Sequence, residues 1–394
     1  MSLIFRDREK LTPRYIPQTL PHREGEVSFL SSFYRDVLEY PSRSHLRAVQ
    51  IVGAVGSGKT AVARLFGERF EAEARKMKVD LKHVYVNMKL HGVSKVILYR
   101  HLVRQAAPEA YSSSLSSEEL LYTLIKYLKD GRKYLLLTLD EIDYYVKHTE
   151  DSSVLYEISR LEEFLEPGET TNVLGVTFIA RGREFHKLLD EGILSSLGRI
   201  VLEFKPYSFS QLVDILESRV REAFNPNVVS QDLVEYVAEI VSKPPVNGDV
   251  RYALDILQYS GNLAEYEGYD RITPEHVRKV LNITYPTVTD EDIYYLPEKD
   301  KIVLLGLARV LKGSGKPYAS LKDIRMSCGI VCEEFNFKPL SSEDVENCVD
   351  DLQDRGIVEI RSLKSIGLNG VPAESLEQFL ENLMTRLGSG LSGA

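Results

Sequence analysis

The sequence has few cysteines, no excess of basic residues and no long apolar run, and each shortage excludes a class of protein. Cys328, Cys332 and Cys348 form an odd and sparse set without a four-ligand zinc pattern, which favours buried thiols in a reducing compartment. No apolar run approaches the roughly 20 residues that span a bilayer. The first residues carry charges where a secretory signal has its apolar core. We therefore expect an intracellular protein without a membrane partner.

The charge balance gives no sign of nucleic-acid binding. The formal net charge is −9, whereas a nucleic-acid-binding chain is commonly basic. Any contact with DNA must therefore come from local basic patches. At 394 residues the chain is too long for a single hydrophobic core, so we expect two or three domains.

Residues 53–60 match the phosphate-binding pattern G-x-x-x-x-G-K-[ST]. An apolar run at 48–52 precedes them and a helical run at 61–66 follows, which is the strand–loop–helix setting that such a loop requires. The glycines allow backbone N–H groups to surround phosphates, and the helix N-terminus adds partial positive charge. Lys59 is expected to reach the β- and γ-phosphates, and the Thr60 hydroxyl to bind Mg²⁺. The expected cradle is Gly53, Ala54, Val55, Gly56, Ser57, Gly58, Lys59, Thr60 and Ala61.

A second motif follows about 80 residues downstream, where the apolar run 134–139 leads into Asp140 and Glu141. An apolar strand that ends in two acids is typical of a Walker B element. We expect Asp140 to orient the Mg²⁺ shell, which makes Thr60 and Asp140 the metal site. Glu141 is expected to polarise the attacking water.

Near-continuous apolar runs separated by helices predict an α/β domain with a parallel five-stranded sheet covered on both faces. Catalytic groups should gather at the carboxyl ends of its strands. The other strands are expected at 48–52, 83–87, 173–180 and 200–204.

From residue 208 the pattern is helical only, which indicates a second, all-helical domain. From residue 289 three helices at 300–312, 321–327 and 341–355, a strand at 356–361 and a hairpin predict a winged helix, closed by a helix at 374–387. The expected boundaries are a poorly ordered N-terminal arm at 1–14, a base at 15–206, a lid at 207–286, a winged helix at 287–388 and a flexible tail at 389–394.

The order of these motifs resembles the archaeal replication initiator ATPases, relatives of the origin recognition complex and of the cell-division-control loader. The resemblance runs from about Tyr15 to Leu387 and includes the P-x-x-L-P-x-R-E arm at 17–24, Ser195-Ser196-Leu197, Pro206-Tyr207 and the block at 248–255. It implies an AAA+ base with an all-helical lid and a C-terminal winged-helix domain. It also implies ATP or ADP with Mg²⁺, and double-stranded origin DNA as a partner.

The resemblance implies further partners and a location. A replicative helicase or other replication proteins would be recruited, a paralogous initiator is a possible partner, and the protein would be cytoplasmic and nucleoid-associated. The family also carries a helical insertion in the base that contacts DNA. By its order in the chain this insertion falls between Asn87 and Lys129.

Several nucleotide contacts follow from the same resemblance. Arg251 matches the family's sensor-2 arginine, which reports the γ-phosphate from the lid, although a surface ion pair is the alternative. Ile16, Pro17 and Arg23 lie on an extended arm placed to pack on the nucleotide base, or else to tether the domain surface. Tyr207 is assigned to the nucleotide site through its family block.

Two positions depart from the family pattern. Arg181 occupies the place of a polar sensor, commonly Asn, and Gly192 occupies the place of the inter-subunit finger arginine. An arginine can hold phosphate but cannot orient a water molecule as an amide does. We therefore expect a slow Mg²⁺-dependent ATPase that acts as a switch, with Lys59, Asp140, Glu141, Arg181 and Arg251 as its catalytic set.

The third domain is acidic, which leaves few residues for contacts with DNA. Residues 289–394 contain 12 basic and 18 acidic residues, and the helix at 341–355 carries six of the acids. Phosphates would be repelled by most of that helix. The candidate DNA contacts are Lys338 before the helix, and Arg361 and Lys364 in the wing. Two alternatives remain open, namely a switch ATPase whose winged helix docks a protein partner and a clamp-loader-like motor.

Overall fold

The computed structural model describes residues 2–92, 94–149, 153–165, 171–284 and 288–390. The chain divides into two compact units. The base unit comprises Ile16–Gln211 and Asn247–Val250. The second unit comprises the described residues up to Tyr15, Leu212–Val246 and those from Arg251 onward, so it contains both the helical lid and the winged helix.

A parallel sheet of five strands forms the centre of the base unit, in the order β2-β3-β4-β1-β5. The strands are β1 Arg47–Gly53, β2 Asp80–Asn87, β3 Lys133–Asp140, β4 Val173–Ala180 and β5 Ile200–Phe204. Every residue of β4 is buried, because its neighbours and the helices on both faces remove it from water. The predicted parallel sheet is therefore confirmed. The edge strand β2 begins earlier than predicted, since exposed Asp80 and Lys82 interrupt its apolar pattern.

In the described part of the base unit, eight α-helices surround this sheet or connect its strands. They are α1 Glu24–Glu39, α2 Lys59–Lys76, α3 Met88–His91, α4 Lys95–Ala106, α5 Ser117–Asp130, α6 Ile142–His148, α7 Ser153–Ser159 and α8 Glu191–Ser196. Local sequence fixes several of their starts. Ser116 and Glu119 form a capping box that begins α5, and Ser94 caps α4. The sequence pattern predicts a helix around 93–105. The structure begins α4 at Lys95, and Val93 itself lies outside the described residues.

The second unit starts with four lid helices and continues into the winged helix. The lid helices are α9 Phe209–Ala223, α10 Gln231–Ser242, α11 Val250–Tyr266 and α12 Pro274–Thr284. The winged helix consists of α13 Asp290–Tyr294, α14 Glu298–Ser314, α15 Leu321–Glu334, α16 Ser342–Asp354, β6 Val358–Ser362, β7 Ser365–Leu368 and α17 Ala373–Gly390. The strands β6 and β7 form the predicted antiparallel hairpin. The predicted boundary at 286/287 lies outside the described residues.

Two helices of the winged helix are longer than predicted. We expected the second to end at Ser327, but α15 continues to Glu334 because Cys328, Val331 and Cys332 extend its buried stripe past Gly329. We expected the last to end at Leu387 before a flexible tail. Instead α17 continues to Gly390, since adding residues to an existing helix costs less than starting one. Residues 391–394 lie outside the described part.

The N-terminal arm was expected to be poorly ordered, and this expectation was wrong. Ile4, Phe5 and Leu11 are buried in the second unit, and Phe5 forms a β-bridge and a ring contact with Phe224 on the lid. The segment looked disordered from its composition because charged residues separate these three apolar residues. Within the described residues, no helix combines the length and the apolar character needed to cross a membrane.

Candidate functional site

The loop between β1 and α2 has the backbone that its glycines predict. Gly56 and Gly58 adopt left-handed conformations, with φ of +70° and +93°. A Cβ on Gly56 would overlap the Asp249 carboxylate, and one on Gly58 would lie 2.6 Å from the Tyr207 hydroxyl oxygen. Any other residue at these two positions would therefore displace the loop from its supports.

Lys59 is folded back over the loop. Its Nζ donates hydrogen bonds to the carbonyl oxygens of Gly53, at 2.6 Å, and of Ala54, at 2.8 Å. Burial lowers the pKa of this lysine, and the nearby carboxylates of Asp140 and Asp143 oppose that shift. A cation held in this way is poised to exchange two carbonyl partners for phosphate oxygens.

The proposed metal pair comes together at the carboxyl ends of the strands. The Thr60 hydroxyl donates to Asp140 Oδ2 at 2.7 Å, although the two residues lie on α2 and β3. The other carboxylate oxygen accepts the backbone N–H of Glu141 at 2.8 Å. A hydroxyl and a buried carboxylate beside a phosphate loop are the oxygen ligands that Mg²⁺ prefers, so these residues fit such an ion.

Tyr85 joins this pair and was missed in the sequence. Its hydroxyl donates to Asp140 Oδ2 at 2.8 Å, and burial raises the pKa of this phenol, so Tyr85 remains a donor at neutral pH. Its side chain also lies beneath the Arg64 guanidinium, 3.9 Å from the ring centroid. Tyr85 stands opposite Thr138, two residues before Asp140, so its place beside Asp140 depends on the pairing of β2 with β3, which the sequence pattern does not give.

Glu141 and Arg181 contact each other directly. Arg181 Nη2 donates to Glu141 Oε2 at 3.1 Å, from the ends of the adjacent strands β4 and β3. Glu141 also has a left-handed backbone, with φ of +60°, which is uncommon outside glycine. The arginine at the sensor position therefore holds the carboxylate that was predicted to polarise water.

Arg23 and Tyr207 support the loop from below. Arg23 is buried, donates from Nε to the Ser57 carbonyl at 3.0 Å and from Nη2 to the Lys205 carbonyl at 2.7 Å, and lies 4.1 Å from the Tyr207 ring centroid. Pro17 is buried, and Ile16 packs against the core that contains α2. Arg23 and Tyr207 therefore lie beside the phosphate loop, and Ile16 packs on a core that includes residues of α2.

Arg251 lies in the first turn of α11, directly after the segment Asn247–Val250 that packs with the base unit. Within that segment Asp249 approaches Gly56, a neighbour that we had not singled out as a site residue. The sequence feature that could have indicated Asp249 as a site residue is its position in the family block at 248–255. The assignment of Arg251 as a phosphate sensor stays a prediction.

The three candidate DNA contacts differ in their surroundings. Lys338 is exposed between α15 and α16, and Lys364 is exposed in the turn between β6 and β7. Arg361 instead forms an ion pair with Glu239 on α10 and lies 4.1 Å from the centroid of the Tyr318 ring. Burial lowers the pKa of Arg361. A phosphate would therefore compete with Glu239 for this side chain.

Three family models match the chain. They are "AAA domain" over residues 43–189, "Cdc6 AAA+ ATPase-type lid domain" over residues 213–282 and "CDC6, C terminal winged helix domain" over residues 291–369. The sequence is 33% identical to ORC1-type DNA replication protein 1 of Aeropyrum pernix over 362 residues, which cover 91% of this chain and 88% of that protein. The chain belongs to the ORC1/Cdc6 family of AAA+ ATPases.

Other members agree with this assignment. ORC1-type DNA replication protein 2 of Saccharolobus solfataricus is 28% identical and covers 91% of this chain and 87% of that protein. The crystal structure of Cdc6p from Pyrobaculum aerophilum superposes with a TM-score of 0.80 at 27% identity, over 97% of this chain and 99% of that one. The structure of the Aeropyrum pernix ORC1 protein in complex with DNA gives a TM-score of 0.63 at 30% identity, over 98% and 100%.

The comparisons confirm the resemblance and the fold class that the sequence predicted. This ORC1/Cdc6 chain therefore carries the nucleotide-binding architecture of AAA+ ATPases and the winged helix of replication initiators. The roles of single residues are not tested by these matches and stay predictions.

Proposed function

We propose that this chain is a replication initiator that binds double-stranded origin DNA under the control of bound ATP or ADP. The observation that carries the nucleotide half is the 2.7 Å contact between Thr60 and Asp140 beside Lys59. The winged helix and the family assignment support the DNA half. Recruitment of a replicative helicase or another replication protein, together with a paralogous initiator, completes the proposal.

Different residues of the base unit would bind different parts of the nucleotide and its metal ion. The cradle from Gly53 to Ala61 would hold phosphates, Lys59 would neutralise the β- and γ-phosphates, and Thr60 with Asp140 would hold Mg²⁺. Bound Mg²⁺ would stabilise the negative charge that develops on the phosphate oxygens. Tyr85 would keep one Asp140 oxygen oriented through its hydrogen bond.

Hydrolysis is expected to be slow because Glu141 is not available as a lone carboxylate. Its ion pair with Arg181 must loosen before the carboxylate can polarise water. Slow turnover suits a switch whose bound nucleotide, rather than repeated hydrolysis, determines its state. Arg251 on α11 would report that state to the lid.

Contacts with DNA would come from the winged helix and from the base insertion. Lys338 and Lys364 are exposed candidates, and Arg361 becomes available to phosphate if it leaves its ion pair with Glu239. The insertion would fall somewhere within the helices between Asn87 and Lys129, where the structure has α3, α4 and most of α5. Phosphate contacts of this kind would position the duplex without reading its sequence.

A second candidate function is a switch ATPase whose winged helix docks a protein. The outward face of α16 favours it, because Glu343, Glu346, Asp350 and Asp354 are exposed there at helical spacing. That face would repel the phosphates that a recognition helix must approach. The alternative predicts a folded, nucleotide-binding chain without affinity for duplex DNA.

Titration of labelled duplexes distinguishes these functions. The purified chain is titrated into origin and random duplexes with ATP, with ADP or without nucleotide, and anisotropy is measured. Lys59→Ala should weaken nucleotide binding by several kcal/mol, since charged hydrogen bonds contribute roughly 1.5–3 kcal/mol each. It should also abolish any nucleotide effect on DNA affinity. Lys187→Ala, which removes an exposed lysine outside the phosphate loop, is the matched control. Wild-type protein that binds neither duplex would overturn the initiator in favour of the docking module.

A further inference from the structure

Positive charge is concentrated at one end of the base sheet, in an otherwise acidic chain. Residues 75–82 and 126–133 together contain eight basic and two acidic residues. We refer to these two segments as the basic edge. Its basic residues are Arg75, Lys76, Lys78, Lys82, Lys126, Lys129, Arg132 and Lys133.

The fold brings the two segments of the basic edge together. The strands β2 and β3 are adjacent and parallel, and Asp80 stands opposite Lys133 in their register. Neighbouring strands lie about 4.8 Å apart, so the residues that precede them, including Lys78 and Arg132, share one surface. Because the phosphate loop follows the carboxyl end of β1, the basic edge lies at the opposite end of the sheet from the nucleotide site.

Most of this charge faces solvent. Arg75, Lys76, Lys78, Lys82, Lys126 and Arg132 are exposed. Among the contacts that the structure shows, Arg75 pairs with Glu71 at 3.6 Å and Lys82 donates to the Gln105 carbonyl. A shallow depression lined by Thr123, Lys126, Tyr127 and Lys133 opens on the same surface.

Helix dipoles explain only part of the basic edge. Arg75 and Lys76 lie in the last turn of α2, and Lys129 lies in the last turn of α5, where cations offset the partial negative charge of the helix end. Lys78, Lys126 and Arg132 lie outside those last turns. Their concentration therefore needs a different explanation.

We propose that the basic edge binds the phosphate backbone of duplex DNA, as a contact separate from the winged helix that extends beyond the expected insertion at 87–129 to α2, β2 and Arg132. The proposal rests on the proposed function, in which this chain binds duplex DNA. Phosphate binding requires only spaced cations, which release counterions and carry no sequence information. A protein partner would instead need buried aromatic or apolar anchors. Met77 is the large apolar side chain that the two segments expose. DNA held there would be bound without involvement of the nucleotide loop.

The test neutralises three cations that helix dipoles do not explain. The triple variant Lys78→Gln/Lys82→Gln/Arg132→Gln, whose three cations lie outside the insertion at 87–129, is compared with wild type for binding to a random-sequence duplex at several salt concentrations. Each lost phosphate contact reduces the slope of log K against log salt by about 0.9, so the slope should become shallower by up to about 2.7. Affinity for ADP should stay unchanged, because the edge lies away from the phosphate loop.

A matched control removes equal charge elsewhere. The variant Lys147→Gln/Lys187→Gln/Arg271→Gln neutralises three exposed cations outside the basic edge and should keep the wild-type slope. An equal loss in both triple variants, or a basic-edge variant that binds DNA as wild type does, overturns the proposal while leaving the initiator function intact. The proposal is also overturned if the basic-edge variant binds duplex DNA as wild type does but has lost affinity for poly-L-glutamate. That result would mean that the basic edge binds acidic protein segments. A wild-type protein that binds no duplex overturns both proposals.

Discussion

At the scale of single residues, the pair Arg181–Glu141 sets the expected rate of hydrolysis. The guanidinium holds the carboxylate at 3.1 Å, so Arg181→Asn should free Glu141 and place a water-orienting amide at the sensor position. We expect steady-state hydrolysis to rise several-fold in this variant, whereas Glu141→Gln should slow it below wild type and leave nucleotide binding intact.

Arg183→Asn provides the control for this pair. Arg183 lies two residues from Arg181 and pairs with Glu203 on β5 at 3.3 Å. Its substitution therefore removes the same positive charge without removing a partner of Glu141. Hydrolysis by wild type in the range of roughly 1–10³ s⁻¹, stimulated by DNA, would contradict the switch and favour a motor. A phosphate-release assay measures all four proteins.

A second residue makes the stability of the base depend on pH. His83 on β2 is largely enclosed, contacts the Thr138 hydroxyl at 2.9 Å, and has its pKa lowered to about 4, mainly by burial and then by the charge of Arg64. The unfolded chain therefore takes up a proton near the usual histidine pKa of about 6.5, while the folded chain does not. Stability should fall as the pH drops from about 6.5 to 4, by up to about 3 kcal/mol.

Replacement of this histidine should flatten that dependence. We expect His83→Gln to be less stable at pH 7.5 but to lose less stability than wild type on acidification to pH 5. Urea unfolding followed by circular dichroism provides the two free energies. His45→Gln is the control, because its side chain is exposed, with 84% accessibility. If His83→Gln and wild type lose the same free energy of unfolding between pH 7.5 and pH 5, groups other than His83 cause the pH dependence.

At the scale of elements, the lid and the winged helix share a polar network that limits what the wing can do. Glu239 on α10 accepts a hydrogen bond from the Tyr318 hydroxyl at 2.7 Å and pairs with Arg361 of β6. The buried guanidinium of Arg278 on α12 donates to the Pro317 carbonyl at 3.0 Å. These contacts fix the orientation of the wing on the lid helices.

Because of this network, substitutions of the two wing cations, Lys364 and Arg361, should have different effects. Lys364→Gln should reduce the slope of log K against log salt by about 0.9 for duplex DNA. Arg361→Gln should leave that slope nearly unchanged and instead lower the melting temperature, since it removes one charged partner of the buried Glu239, which keeps only Tyr318 and Lys243 among the contacts shown. Anisotropy and thermal unfolding are measured for both variants. Equal slope changes would mean that Arg361 exchanges Glu239 for phosphate when DNA binds.

The elements also show how far sequence reasoning reaches. The apolar runs predicted the five strands, and the glycine pattern predicted the phosphate loop, because both depend on local sequence. The edge strand β2 and the helix α15 were predicted too short. Their ends are set by neighbouring strands and by a buried stripe that passes a glycine, neither of which is local information.

The candidate site divides in the same way. Lys59, Thr60 and Asp140 followed from motifs, and the structure brings them together. Tyr85 and the pairing of Arg361 with Glu239 depend on which strands and helices become neighbours. Such contacts join residues that are 55 and 122 positions apart in the chain, so single-sequence patterns do not contain them.

At the scale of the whole molecule, the N-terminal arm is part of the second unit. Phe5 contacts Phe224, and a Cβ on Gly261 would lie 2.5 Å from Phe5 Cζ, so the glycine provides the space that the ring fills. Phe5→Ala should destabilise this unit by about 3 kcal/mol, a cost typical of removing a buried aromatic side chain.

Leu3→Ala is the matched control, because Leu3 is 70% exposed. Thermal unfolding followed by circular dichroism measures both variants. Gly261→Ala should reproduce part of the loss by displacing the ring. If Phe5→Ala and Leu3→Ala have the same melting temperature, the arm contributes little to the stability of the second unit.

The place of the arm also affects biosynthesis. Residues up to Tyr15 pack with segments that follow Gln211 in the chain, so Ile4, Phe5 and Leu11 leave the ribosome long before their partners exist. At about 5–20 residues per second, these three apolar side chains wait on the order of 10–40 s while the base unit is translated. During that interval they are available to chaperones, and the second unit completes its core only after the base has been translated.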